Sequence, residues 1–158
     1  MPSAAIALDL RFESPDGDAA RTCVAAYFGE LNARFDDGFD PGGGSDPAAA
    51  DMTAPNGAFL VARLGGEAVG CGGLKTLETG IGEVKRVWTS PNARGQGVAR
   101  AIMAALETKA RAMGLNALRL DTNRALVEAQ AFYRGLGYRP IARYNDNPYA
   151  DFWFVKVL

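Results

Sequence analysis

The sequence contains no histidine and only two cysteines, Cys23 and Cys71. Without an imidazole, a Ser-His-Asp or Cys-His nucleophile is excluded, and so are metal sites built on histidine. Two isolated cysteines cannot make a disulfide framework or a zinc site, so they are expected to be free, buried thiols in a reducing compartment. No neighbour in sequence would lower the pKa of Cys71 enough to make it a catalytic nucleophile. Neither sign of charge is in excess: 17 Lys and Arg stand against 18 Asp and Glu. Nucleic-acid binding through phosphates needs a basic surplus and is not expected. No apolar run reaches the roughly 20 residues that span a bilayer. The opening MPSAAIALDLRFE lacks a positive n-region and reaches Asp9 just after a short apolar stretch. It is not expected to be a signal peptide, and the cytoplasm is the expected location. No metal is expected. Chemistry must come from carboxylates, Tyr, Lys, Arg and backbone groups.

What is present fits one domain over residues 1–158. Ile6, Leu8, Leu10 and Phe12 alternate as in a half-buried strand. Val24, Tyr27, Phe28, Leu31 and Phe35 then recur at helical spacing between Ala19 and Phe35. Residues 36–56 are rich in Gly, Pro and Asp and predict a long flexible loop with a short helical turn near Ala48–Met52. Strands are predicted at 58–64, 68–77 and 82–90, a helix at 98–113 stopped by Gly114, a strand at 117–122 and a helix at 125–136 stopped by Gly137. Two closing strands complete the order β-α-β-β-β-α-β-α-β-β. The expected class is α/β (α+β), a mixed sheet with helices on both faces.

The most informative segment is Arg94-Gly95-Gln96-Gly97-Val98-Ala99, where a strand runs through a glycine turn into an amphipathic helix. Gly95 and Gly97 allow close backbone approach. The first-turn amides have no intrahelical partner, and the helix dipole adds positive potential. Such a turn suits a pyrophosphate. A dinucleotide fingerprint would need a third glycine, and a P-loop would need Gly-Lys-Ser/Thr.

This hexapeptide resembles the (Gln/Arg)-x-x-Gly-x-(Gly/Ala) signature of the GNAT superfamily of N-acetyltransferases. Its neighbours are similar as well. Val87 and Pro91 end the preceding strand, and Asn123 leads into Ala129-x-x-Phe132-Tyr133-x-x-x-Gly137-Tyr138. The resemblance is close over residues 58–158 and loose before them. It implies a mostly antiparallel sheet of about seven strands with a splay between the fourth and fifth. It also implies acetyl-CoA as cosubstrate, its pyrophosphate on the amides of Gln96, Gly97, Ala99 and Arg100, with the Arg94 side chain nearby. Backbone groups of Val87 and Trp88 would pair with the pantetheine arm, Asn123 would contact that arm or order its own loop, and Tyr133 would sit near the sulfur.

Acetyl transfer to an amine requires a base, because an ordinary alkylammonium has a pKa of about 10.4. Glu83 is the candidate. Strand alternation places Glu83, Lys85 and Val87 on one face, and a Lys85 salt bridge to Glu83 is the competing reading. A backbone N–H near Val87 would polarise the acetyl carbonyl, and Tyr133 would donate a hydrogen bond or a proton to the departing sulfur. Asp36, Asp37, Asp40, Asp46 and Asp51 could draw in a cationic amine or form a solvated loop. The run Tyr144–Tyr149 could line an acceptor pocket or simply turn a hairpin. Trp88 and Trp153 suit core or interface positions, and Phe152–Val155 could pair across a homodimer. The expected acceptor is a small-molecule amine, with a peptide amine, or a non-catalytic acyl-CoA sensor, as alternatives.

Overall fold

The computed structural model describes residues 7–41 and 49–158, so Ile6 and Asp46 lie outside the described residues. β1 (Leu8–Phe12) leads into α1 (Asp18–Arg34). After a 3-10 turn at Ala49–Met52 come β2 (Gly57–Leu64), β3 (Glu67–Glu78) and β4 (Ile81–Thr89). A second 3-10 turn at Pro91–Ala93 precedes α2 (Val98–Ala112). β5 (Ala117–Thr122), α3 (Val127–Gly135), β6 (Arg139–Ile141) and β7 (Phe152–Val157) follow. The seven strands form one sheet in the order β1-β2-β3-β4-β5-β7-β6, antiparallel throughout except for the β4–β5 pair. The expected order and sheet class are therefore observed. α3 begins two residues later than expected because the Asn123 carboxamide oxygen accepts the Ala125 N–H at 2.8 Å and holds the chain in a turn. The first closing strand shrinks to three residues, and 142–151 is a connecting loop.

Two apolar layers sandwich the sheet. On one face Val98, Ile102, Leu106 and Ala110 of α2 pack on Leu60, Leu74, Val84 and Leu118, joined by Phe132 and Tyr133 of α3. Fully burying a side chain such as Ile102 or Leu106 contributes about 1.5–3 kcal/mol. Gly70 and Gly72 let α2 approach closely: a Cβ on Gly72 would stand 2.8 Å from Ile102 and 3.0 Å from Leu106. On the other face Ala20 and Cys23 of α1 meet Phe59, Val61, Cys71 and Met52. Cys23 and Cys71 are free and buried, their thiols in contact.

The pairing that positions the site is β4–β5. Only Ile81–Glu83 pair with Ala117–Arg119, after which the strands diverge. Opposite Gly72, β4 carries an extra residue: Cys71 faces Trp88 while Gly73 faces Lys85. Arg86 takes φ 58° at this bulge, a conformation that costs a non-glycine residue about 1–2 kcal/mol. The Cys71 thiol donates to the Arg86 carbonyl at 3.2 Å, and the guanidinium sits 5.2 Å from the Phe28 ring centre. The bulge also shifts the alternation. Lys85 and Trp88 point toward α1, whereas Val87 packs on the α2 side, so Glu83, Lys85 and Val87 do not share one face.

Candidate active site

The divergence of β4 and β5 opens a cleft of about 590 Å³. One wall is the β4 edge from Val84 to Thr89, the other is β5 from Leu120 to Thr122 with Asn123, and neither edge has a sheet partner inside the gap. The floor is the turn from Ala93 to Arg100, which contributes every residue except Gln96. Gly95 and Gly97 have φ of 79° and 80°, and the first rung of α2 is Ala101 N–H to Gly97 C=O at 3.0 Å. The amides of Val98, Ala99 and Arg100 thus precede the helical ladder. Gln96 turns away, its side chain donating to the Asn92 carbonyl at 3.3 Å.

Among the described residues, some polar groups of the cleft have no protein partner. Thr89 Oγ1 is buried without a hydrogen-bond partner. The Tyr133 hydroxyl, among the described residues, also has none. The Tyr133 ring is fixed by Phe132, Tyr138 and Phe154 at centroid distances of 5.2, 5.9 and 6.5 Å. Burial, reinforced by the nearby charge of Asp121, pushes its phenol above the ordinary value. A buried orphan oxygen, an amide turn and an unpaired strand edge along one cleft fit an extended ligand ending in a pyrophosphate.

Asn123 lines the cleft, but both ends of its carboxamide are engaged. It receives the Ala125 N–H and donates to the Tyr149 carbonyl at 2.6 Å. Arg94 reaches across to α1, where its guanidinium contacts both oxygens of Glu30 at 2.7 and 2.6 Å. Glu30 also accepts the Trp88 indole N–H at 3.0 Å and lies 3.4 Å from Arg34. Arg34 in turn bridges to Glu128 of α3 at 2.5 and 2.9 Å.

Glu83 is 3% exposed and stands behind the cleft rather than in its lining. It accepts the Tyr144 hydroxyl at 2.5 Å and the Asn145 amide at 3.3 Å. Burial and the Glu83 carboxylate push the Tyr144 phenol up, so Tyr144 stays a donor. Lys85 lies 3.7 Å from Glu83 and 3.3 Å from Asp121, a β5 carboxylate that does line the cleft. Asn145 donates to Asp121 at 2.7 Å and Asn147 at 3.3 Å. The 144–149 segment therefore does two jobs. Tyr144 and Asn145 brace the carboxylates, whereas Asn147 and Tyr149 reach the cleft itself. Trp153 supports the brace through its indole N–H to Asn145 Oδ1 at 2.9 Å.

Asp121 and Glu30 escaped the sequence reading. Asp121 carried a signal, since alternation in ALRLDT puts Leu118, Leu120 and Thr122 inward and Asp121 opposite, on the side of Lys85. Glu30 carried none, being one charge on a helix of mixed polarity.

The sheet, split at its one parallel pair, and the amide turn beneath the split define an acyltransferase architecture. Residues 25–138 match the acetyltransferase (GNAT) family. An "IAA acetyltransferase" of Azospirillum brasilense is 39% identical over 105 residues, which is 64% of this chain and 69% of that protein. An uncharacterized N-acetyltransferase of Bacillus subtilis, YsnE, is 31% identical over 67% of this chain and 74% of its own length. A GNAT acetyltransferase structure from Staphylococcus aureus superposes with a TM-score of 0.79 at 14% identity, covering 96% of this chain and 99% of that one. An acetyltransferase from Streptococcus agalactiae gives 0.79 at 19% identity, covering 96% and 98%. The chain belongs to the GNAT acetyltransferase family. It is an acyltransferase, and membership implies an acyl-CoA cosubstrate.

Proposed function

We propose that the protein transfers an acetyl group directly from acetyl-CoA to a primary amine of a small molecule. The observation that carries this reading is the alignment, along one cleft, of the 93–100 amide turn, the unpaired β4 edge and the Tyr133 hydroxyl. The amides of Val98, Ala99 and Arg100 would hold the pyrophosphate, with the Arg100 side chain adding charge while Arg94, held on Glu30, stays beside the turn. The backbone of Val87 and Trp88 would pair with the pantetheine arm, and Asn123 would shape that wall by holding the 149 loop.

Acetyl-CoA supplies the activated acyl carbon and a thiolate leaving group. The protein must take a proton from the incoming ammonium, stabilise charge on the carbonyl oxygen and receive the sulfur. The braced carboxylates Glu83 and Asp121 form the basic end, Asp121 being the member in contact with the cleft and Glu83 its partner through Lys85 and Asn145. An amide of the diverging β4 edge near Val87 would face the carbonyl oxygen. Tyr133 would serve the sulfur. Its phenol is pushed above its ordinary value, whereas a thiol titrates near 8.5, so full proton transfer would run uphill and a hydrogen bond is the favoured contribution.

A small acceptor is favoured over a peptide because the acceptor end is pinched. The Asp40 N–H donates to the Tyr149 hydroxyl at 2.9 Å, and the Phe39 and Tyr149 rings meet at 4.8 Å, joining the end of α1 to the 147–150 loop. The test is thiol release from acetyl-CoA with a panel of small amines and a lysine peptide. Amine-dependent release with small amines is expected. Tight acetyl-CoA binding without release would instead assign the chain to the non-catalytic sensors.

A further inference from the structure

The acceptor end of the cleft has two features that the transfer reading does not use. The first is charge. Glu83, Lys85 and Asp121 are 3, 9 and 8% exposed, so these two carboxylates share one ammonium in a buried, net-negative triad. Buried charge is retained when it is paired. Arg119 does not supply the pairing: it lies over the Tyr144 ring and reaches toward Glu78. Asp121 Oδ2 already takes Lys85 and Asn145, whereas among the described residues Oδ1 takes Asn147 alone, at 3.3 Å. A carboxylate has about four lone-pair sites, so Oδ1 of this cleft-lining residue has room for one more donor.

The second feature is a wall of rings. Phe35, Phe39 and Tyr149 line the cleft and are only half-buried, and Tyr149 is joined through Asn147 to Asp121. They form a connected set, Phe35–Phe39 at 5.9 Å, Phe35–Tyr149 at 5.8 Å and Phe39–Tyr149 at 4.8 Å, with Phe28 behind Phe39 at 5.3 Å. An aliphatic lining would bury an alkyl chain equally well. These rings meet one another edge-on, stacked and tilted, and an aromatic wall adds a preference for another ring.

We infer that the acceptor is an aromatic primary amine, its ammonium at Asp121 Oδ1 and its ring against Phe35, Phe39 and Tyr149. This rests on the acetyl-transfer reading above and narrows it to a substrate class. In the reaction the ammonium gives one proton to the Asp121–Glu83 pair, the nitrogen bonds the acyl carbon, the carbon–sulfur bond breaks with its electrons on sulfur, and the second proton shed by the nitrogen ends on that thiolate to give free CoA thiol.

The test compares kcat/KM for 2-phenylethylamine, hexylamine and a lysine peptide, with acetyl-CoA and the full chain. One ring contact is worth roughly two- to tenfold, so the arylalkylamine should lead hexylamine by about fivefold or more and the peptide by a wider margin. Phe39→Leu keeps the apolar bulk and removes the ring, and should bring the aryl-to-alkyl ratio toward one. Asp121→Asn should lower kcat/KM for every amine. Equal or better turnover of hexylamine or the peptide by the unmodified protein overturns the aromatic assignment and leaves acetyl transfer standing. No thiol release with any amine overturns the transfer reading itself.

Discussion

Replacing Tyr133 by Phe removes one oxygen from the cleft and nothing else. The hydroxyl has no hydrogen-bond partner among the described residues, so its loss orphans no protein group. The contacts of the ring with Phe132, Tyr138 and Phe154, at 5.2, 5.9 and 6.5 Å, persist in Phe. Stability should therefore change by no more than about 0.5 kcal/mol, which in a chain of this size is about 1–2 °C in Tm. The rate should respond far more. A donor aimed at charge that develops in the transition state is worth about 10²–10³ in kcat. The lower figure, about 2.7 kcal/mol, applies here if Tyr133 acts as a hydrogen-bond donor and not as an acid. The assay is thiol release from acetyl-CoA at saturating amine, beside a thermal melt. An unchanged melt with a hundredfold lower kcat supports the role. A kcat within twofold of the unmodified protein removes Tyr133 from the chemistry.

Other outcomes follow from packing and charge. Gly72→Val would push a Cβ to 2.8 Å from Ile102 and 3.0 Å from Leu106. Overpacking of this kind costs about 1–3 kcal/mol, so Tm should fall by several degrees, and an unchanged melt would refute the tight β3–α2 contact. Glu128 is held at about 2, below its ordinary 4.5, chiefly by its hydrogen bond to Arg34. A carboxylate lowered on folding contributes stability above its ordinary value and loses it as pH falls toward the lowered one. Glu128→Gln should therefore melt slightly earlier than the unmodified protein at neutral pH, and the gap should close between pH 4.5 and about 2. Because Glu128 is 63% exposed, the gap should stay under about 1 kcal/mol. A difference that persists at the acid end would contradict the ion pair.

The elements and their order were legible because each carried a local signal. The alternation in ALRLDT gave β5 to the residue, and the two glycines after α2 and α3 gave their ends. Of the residues that line the cleft, the Gly95–Gly97 turn was legible from its own chemistry, and Asn123 and Tyr133 only through the family resemblance. The bulge at Arg86 was not, because it places a non-glycine residue at φ 58°, and it is what carries Val87 to the other face. The aromatics of α1 were legible as a helical stripe but not as a cleft wall. Of that stripe Leu31 is buried in the core, whereas Tyr27 and Phe35 stay half-buried over the cleft. Asp121 was hidden for a different reason. Its meaning depends on β4 lying beside β5 and on loop 144–149 folding back over both, and these are contacts between distant parts of the chain. Cross-strand neighbours decide such roles, and a single sequence does not print them.

Cosubstrate binding as proposed depends on the backbone amides after Gly97 receiving the pyrophosphate of an acyl-CoA. Gly97 sits at φ 80° with open space where a Cβ would be, so Gly97→Val strains the turn without meeting a neighbour and should leave the rest of the fold intact. Calorimetric titration with acetyl-CoA should show one-to-one binding to the unmodified protein and at least tenfold weaker binding to Gly97→Val. No binding to the unmodified protein, or equal affinity in the two, would contradict the account.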